Sequence, residues 1–165
     1  MRIRKSAFAG IVVMSLTLAG CDALGRATPD QTIGVHEDDP VMNAAKAEAR
    51  STLPEFWERL AKPSLFETNF ALKYDLNHGH PERGDAELIW AGNVQKKKDG
   101  RIVARLDNAP VTQGFVVGQM VVIPEEAIVD WQIEREGKLD GHYTTRILLS
   151  QMDAETAQMV QEKLW

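Results

Sequence analysis

The chain has 165 residues, 44% hydrophobic and 26% charged, with a formal net charge of −5; this is the size and composition of one ordinary globular domain. Arg2, Arg4 and Lys5 are the only charged residues among the first twenty, so the remainder carries 16 basic against 24 acidic residues, a net of −8. An acidic domain of this kind is a poor match for nucleic acid or an anionic membrane surface, and no nucleic-acid partner is expected. No internal repeat is present, which argues against a solenoid.

In chain order, 1–20 has the layout of a secretory signal. A basic start precedes an apolar run from Ala7 to Leu18, too short to span a bilayer as a stable helix. The run ends in Leu18-Ala19-Gly20-Cys21, which resembles a bacterial lipobox. Cys21 is the only cysteine, and a thiol consumed by a diacylglyceride thioether leaves none for a disulfide. Lipidation at Cys21 is therefore expected, with the membrane as partner through the lipid and the domain on the periplasmic side. By resemblance to enterobacterial lipoproteins, Asp22 favours retention in the inner membrane. Residues 21–38, small and polar with Gly25, Pro29 and Gly34, read as a flexible tether.

A single domain is expected over 39–165. Asp39 is an N-cap before Pro40 at the first helical position. Met42, Ala45, Ala49, Leu53, Phe56, Trp57 and Leu60 then recur at helical spacing. Pro54 interrupts this stripe, giving a kinked helix or a helix pair, the second part opened by Thr52-Leu53-Pro54-Glu55 as a capping box. From Phe66 the period changes to two, with Phe70, Leu72, Tyr74 and Leu76 opposed to Ala71, Lys73 and Asp75. The next hairpin turns at Lys98-Asp99-Gly100, because a three-residue loop with Gly100 left-handed sets Val94 opposite Ala104 and matches the faces.

The second hairpin places Val129, Trp131 and Ile133 inward and Asp130, Gln132 and Glu134 outward. Its return strand is expected to carry Tyr143, Ile147 and Leu149 inward, with His142, Thr144 and Arg146 outward. A loop over Glu136 to Asp140 would pair Arg135 with Gly141, Glu134 with His142, Gln132 with Thr144 and Asp130 with Arg146. Asp153 caps a short last helix bearing Ala157, Val160 and Leu164. The expected class is α+β: the N-terminal helix pair packed on a curled antiparallel sheet of about five or six strands. A small SH3-like barrel is the alternative closure.

The motifs Met42 to Trp57, Phe70-Ala71-Leu72-Lys73, Glu87-Leu88-Ile89-Trp90, Leu106 to Pro110, Ile128-Val129-Asp130-Trp131 and Gly141 to Arg146 resemble the YegJ-like family of bacterial proteins. That resemblance covers roughly 40–150 and implies a fold family without an assigned activity.

Chemistry is sparsely marked. His78-Gly79-His80, followed by Glu82, Asp85 and Glu87, is the metal candidate and faintly resembles a cupin His-x-His. The later Pro-x-Gly and a distant third histidine at the fixed spacing of that pattern are missing, and a transition metal needs three or four held ligands. There is no Gly-x-Ser-x-Gly, and Ser51, Ser64 and Ser150 have no neighbouring histidine. Trp57, Trp90 and Trp131 fall on core spacing, while Trp165 ends the chain beside charged residues. The expected function is non-enzymatic binding of an envelope protein or component, with no cofactor. Its surface would be the polar hairpin face (Asp130, Gln132, Glu134, His142, Thr144, Arg146) together with Asp107 and Asn108. A small metal-dependent or hydrolytic enzyme using His78 and His80 is the alternative.

Overall fold

A computed structural model describes residues 38–165 in full and the backbone of 11–16 and 31–36. Cys21, Asp22 and the lipobox lie outside the described residues. Two strands fall within the stretches read as signal and tether, β1 (Ile11–Leu16) and β2 (Gln31–His36). They pair antiparallel, and Val13 and Met14 of β1 lie parallel to Glu87 and Leu88. Cleavage before Cys21 would remove β1 and leave β2 without that partner.

The domain opens with α1 (Pro40–Ser51), where the Asp39 carboxylate accepts the backbone N–H groups of Val41 and Met42. Helix α2 (Leu53–Ala61) follows at a bend. Thr52 sits between them without capping through its side chain. Its hydroxyl instead donates back to Ala49 O at 3.0 Å and accepts the Trp131 indole N–H at 2.9 Å, so the expected capping box is replaced by a tertiary bond. Six strands follow: β3 (Glu67–Asp75), β4 (Glu87–Lys96), β5 (Ile102–Leu106), β6 (Met120–Ile123), β7 (Ile128–Arg135) and β8 (Lys138–Gly141). They form an antiparallel sheet in the order β6-β5-β4-β3-β7-β8. The sheet is open rather than closed into a barrel.

The first hairpin turns as its faces require. Lys97 N–H donates to Arg101 O, Gly100 has φ +85°, and Gln95 pairs with Val103. One extra residue of β4 between Gly92 and Gln95 makes a bulge, with Asn93 left-handed at φ +51°.

The second hairpin departs from expectation. Its loop is the two residues Glu136 and Gly137, both at positive φ, and the pairs are Arg135–Lys138, Glu134–Leu139, Ile133–Asp140 and Gln132–Gly141. Strand β8 then ends at Gly141, and the expected return strand is instead helix α3 (Tyr143–Leu148). The last helix, α4 (Ala154–Lys163), is capped by Asp153 and buries Val160.

Both faces of the sheet are covered, which is why β3 buries Ala71, Leu72, Lys73 and Tyr74 in succession. On one face Leu53 and Phe56 of α2 join Leu72, Ile89, Trp131 and Ile133. On the other, Met42 of α1 and Leu148 of α3 close over Leu88 and Val129. A half-buried polar face was expected there; the helices make it interior, and Val129, expected inward beside Trp131, faces this side, next to the register shift of β7 against β3 between Lys73 and Tyr74.

Candidate functional site: a buried polar cluster under helix α3

Cross-strand register sets Trp90, Lys73 and Asp130 side by side on the covered face, since Lys73 is the partner of Trp90 in β4 and of Asp130 in β7. The Lys73 ammonium lies 4.7 Å from the Trp90 ring centroid and donates to Thr144 Oγ1 at 3.1 Å. The same hydroxyl donates to Asp130 Oδ2 at 2.6 Å, so Thr144 bridges the two charges. Asp130 also accepts the backbone N–H groups of Thr144 at 2.8 Å, Tyr143 at 3.2 Å and Trp131 at 2.8 Å. It thereby caps α3 from a neighbouring strand, a role the helix's own leading residue, His142 at φ +55°, does not fill.

His142 lies beneath the same helix, with its ring centroid 4.8 Å from that of Trp90. Nε2 is 2.7 Å from Gln132 Oε1 and Nδ1 is 3.0 Å from Thr145 Oγ1. Gln132 Oε1 can only accept, so Nε2 carries the proton and Nδ1 accepts the Thr145 hydroxyl.

The three titratable groups are all displaced toward neutrality. Burial draws the Lys73 ammonium down to about 8; the Asp130 charge opposes the shift and Lys46 adds to it. Burial raises the Asp130 carboxyl, against the pull of Lys73 and of the Thr144 and Trp131 bonds. Burial, with the charges of Lys73 and Arg146, pushes His142 well below the usual imidazole range. A histidine neutral in the folded state and titrating normally when unfolded makes stability fall as pH drops through ~6.5, because only the unfolded chain takes up the proton. His142→Gln is expected to flatten the decline in urea midpoint between pH 7 and pH 5. An unchanged slope would mean that His142 does not govern acid sensitivity.

The structure sorts the residues expected at a binding surface. Asp130, Gln132, His142 and Thr144 do come together, but Asp130, His142 and Thr144 are buried, so this is not a solvated face. Glu134 lies at its rim, bonded to the Asn69 amide, and stands opposite Leu139 instead of His142. Arg146 is turned away from Asp130 and donates to Gly141 O at 3.2 Å. Asp107 is half-buried and packs so close to Gly92 that an added Cβ would stand 2.6 Å from its carboxylate. Asp107 and Gln132 line a groove of about 360 Å³ with Arg105 and Asn69. Asn108 is buried, and neither polar atom of its side chain meets a partner among the described residues.

The metal candidates do not converge. His78 and His80 are exposed, and His80 Nδ1 faces Glu82 at 2.9 Å. Glu87 turns inward, where its carboxylate accepts the N–H groups of Val111 at 2.6 Å and Thr112 at 2.8 Å and pins the loop before β6. Among the described residues no group of three or more metal-type side chains is placed to hold an ion.

Sequence reasoning missed Lys73 and Glu87 as cluster-forming residues. The available signal was a lysine at the centre of an apolar strand, but period two assigns it to water unless something is known to cover that face. The α-helical covering comes from Met42 and Leu148, remote in sequence.

Neither curated proteins nor solved structures contain a match to this chain. A family model does match, over residues 39–164, and its description is an uncharacterized protein conserved in bacteria. That span takes in the helix pair, all six strands of the domain's sheet and the polar cluster, and the chain belongs to this family, DUF2314.

Proposed function

We propose that the chain is a lipid-anchored protein of the bacterial envelope whose domain acts by binding another protein, and that within its family it is of the narrower YegJ-like type. The observation carrying this reading is the state of the chemically distinctive side chains. Lys73, Asp130 and His142 are enclosed beneath α3 and bonded to their neighbours, so their role is to hold α3 on the sheet. What the domain offers to solvent is open grooves, a strand edge and scattered apolar side chains. A partner therefore meets a surface other than the enclosed residues Asp130, His142 and Thr144.

The anchor rests on the lipobox ending in Cys21. No helix among the described residues is long and apolar enough to cross a membrane. Several acyl chains at one cysteine supply lasting attachment, at ~0.8 kcal/mol per buried methylene. Asp22 directs the anchored protein to the inner membrane.

Wild-type protein is expected to incorporate radiolabelled palmitate and to sediment with inner membranes, and Cys21→Ser to do neither while accumulating in the periplasm. Unlabelled wild type, or Cys21→Ser that still sediments with membranes, defeats the anchored reading. In-cell crosslinking of the wild type then identifies the partner.

A further inference from the structure

We propose that the outer edge of β6 receives an extended peptide segment of a partner protein by strand addition, with an acidic side chain of that segment set against Arg83. This rests on the binding-module reading and says where, and by what chemistry, the partner docks.

Strand β6 pairs with β5 on one side, and its other edge is unpaired among the described residues. The bond from Leu106 N–H to Gln119 O, with the register that follows, turns the backbone groups of Gln119, Val121 and Ile123 toward β5. Those of Met120 and Val122 point outward. Exposed edges are commonly blunted by charge or proline. Here Met120 and Val122 are 53% and 58% exposed, and Val116 and Val117 just before them are 64% and 58% exposed. The result is an apolar edge whose outward donors and acceptors are unpaired among the described residues.

A groove of about 230 Å³ runs beside it. Met120, Val121 and Val122 all line this groove; successive side chains on a strand point to opposite faces, so consecutive lining residues place the groove along the backbone edge. Its far wall holds Tyr74, and the Tyr74 hydroxyl is buried without a hydrogen-bond partner. An incoming backbone carbonyl or side-chain oxygen would satisfy it.

Charge selects the occupant. Arg83 lines the groove, its guanidinium lying 5.3 Å from the Phe115 ring centroid and donating to Leu76 O at 3.4 Å. It forms no ion pair among the described residues, because Glu82 is turned to His80 and Asp75 accepts the N–H groups of Asn77 and Glu87. His78 and His80 stand on the same wall. Asp75 lines the same groove with its carboxylate held by the Asn77 and Glu87 N–H groups, which leaves the Arg83 guanidinium as the charge that draws in a carboxylate. Main-chain bonds along β6 would supply affinity, and the arginine, with alternate apolar contacts, would supply specificity.

The test pans a phage-displayed library of random dodecapeptides against the full-length protein in detergent micelles, with empty micelles as control. Enriched peptides are expected to alternate apolar residues around an aspartate or glutamate, and the best synthetic peptide to shift the amide resonances of Met120 to Ile123. Val122→Pro removes an outward N–H without touching the β5 ladder and should weaken binding at least tenfold. Arg83→Glu, which leaves the edge intact, should reverse the preference to lysine- or arginine-bearing peptides. No enrichment over empty micelles, binding indifferent to both variants, or self-association through β6 in place of peptide capture overturns the proposal. Palmitate labelling is independent of all these results. A peptide bound at β6 by a protein that crosslinks to nothing in cells would fault the partner-binding function alone. A cellular partner retained by both variants would fault the docking site alone.

Discussion

Lys73→Met is expected to lower the unfolding free energy of the domain by about 3–5 kcal/mol, the range for breaking a buried charge pair by removing one member. The cost arises from what remains. Asp130, fully enclosed, would keep its N–H donors but lose the Lys73 charge that offsets its burial, and Thr144 Oγ1 would lose the donor it now receives. Lys73→Met combined with Asp130→Asn should recover only part of that loss, because the second change neutralises the stranded carboxylate but leaves one acceptor oxygen where the N–H groups of Tyr143 and Thr144 now use both. The cycle is read by urea unfolding of both single variants and the double. If the double variant is as unstable as the sum of the singles, the two charges are uncoupled and the Thr144 bridge is incidental.

The same pair sets an alkaline signature with a definite sign. Lys73 loses its proton near 8 when folded but near ~10.4 when unfolded, so between those values the unfolded chain holds more protons. Stability contributed through this group therefore rises from pH 8 to about pH 10, and Lys73→Met should be flat in that window.

Gly141→Ala is expected to cost about 2–5 kcal/mol, combining the left-handed backbone penalty with overpacking. Gly141 has φ +84°, and an added Cβ would collide with the Trp131 carbonyl oxygen and stand 2.8 Å from Trp131 Cε3. Neither atom can yield. The carbonyl accepts the His142 N–H at 3.0 Å, and the ring is wedged among Phe56, Tyr143 and Thr52. Gly137→Ala is the control, with a similar φ of +75° but open space around the new methyl. It should cost only about 1–2 kcal/mol. Equal losses by thermal unfolding would mean that backbone strain alone, without the clash, accounts for Gly141.

Gly141 also marks where local reading stopped working. Tyr143, Thr144, Thr145, Arg146 and Ile147 are rich in β-branched and aromatic side chains that suit a strand. They form a helix because Asp130, on another element, accepts the N–H groups of Tyr143 and Thr144, and because Leu148 is buried against Met42 and Val129. Both causes are non-local and outweigh an intrinsic preference of a few tenths of a kcal/mol per residue. Where the forces were local, the elements were legible. Asp39 and Asp153 cap the helices that follow them, the Met42-to-Phe56 stripe is buried at its expected positions, and the Gly100 loop sets the β4–β5 register.

The chain alone thus determined the α+β class, the helix pair and, along β3 and β5, which residues face the main core, since spacing, capping and turn chemistry act within a few residues. Tertiary structure alone decided that the opposite face is interior. An outward residue on a strand is wet only if nothing covers it, and α1 and α3, brought over that face by contacts between remote residues, turned the expected surface of Asp130, His142 and Thr144 into the polar interior of the fold.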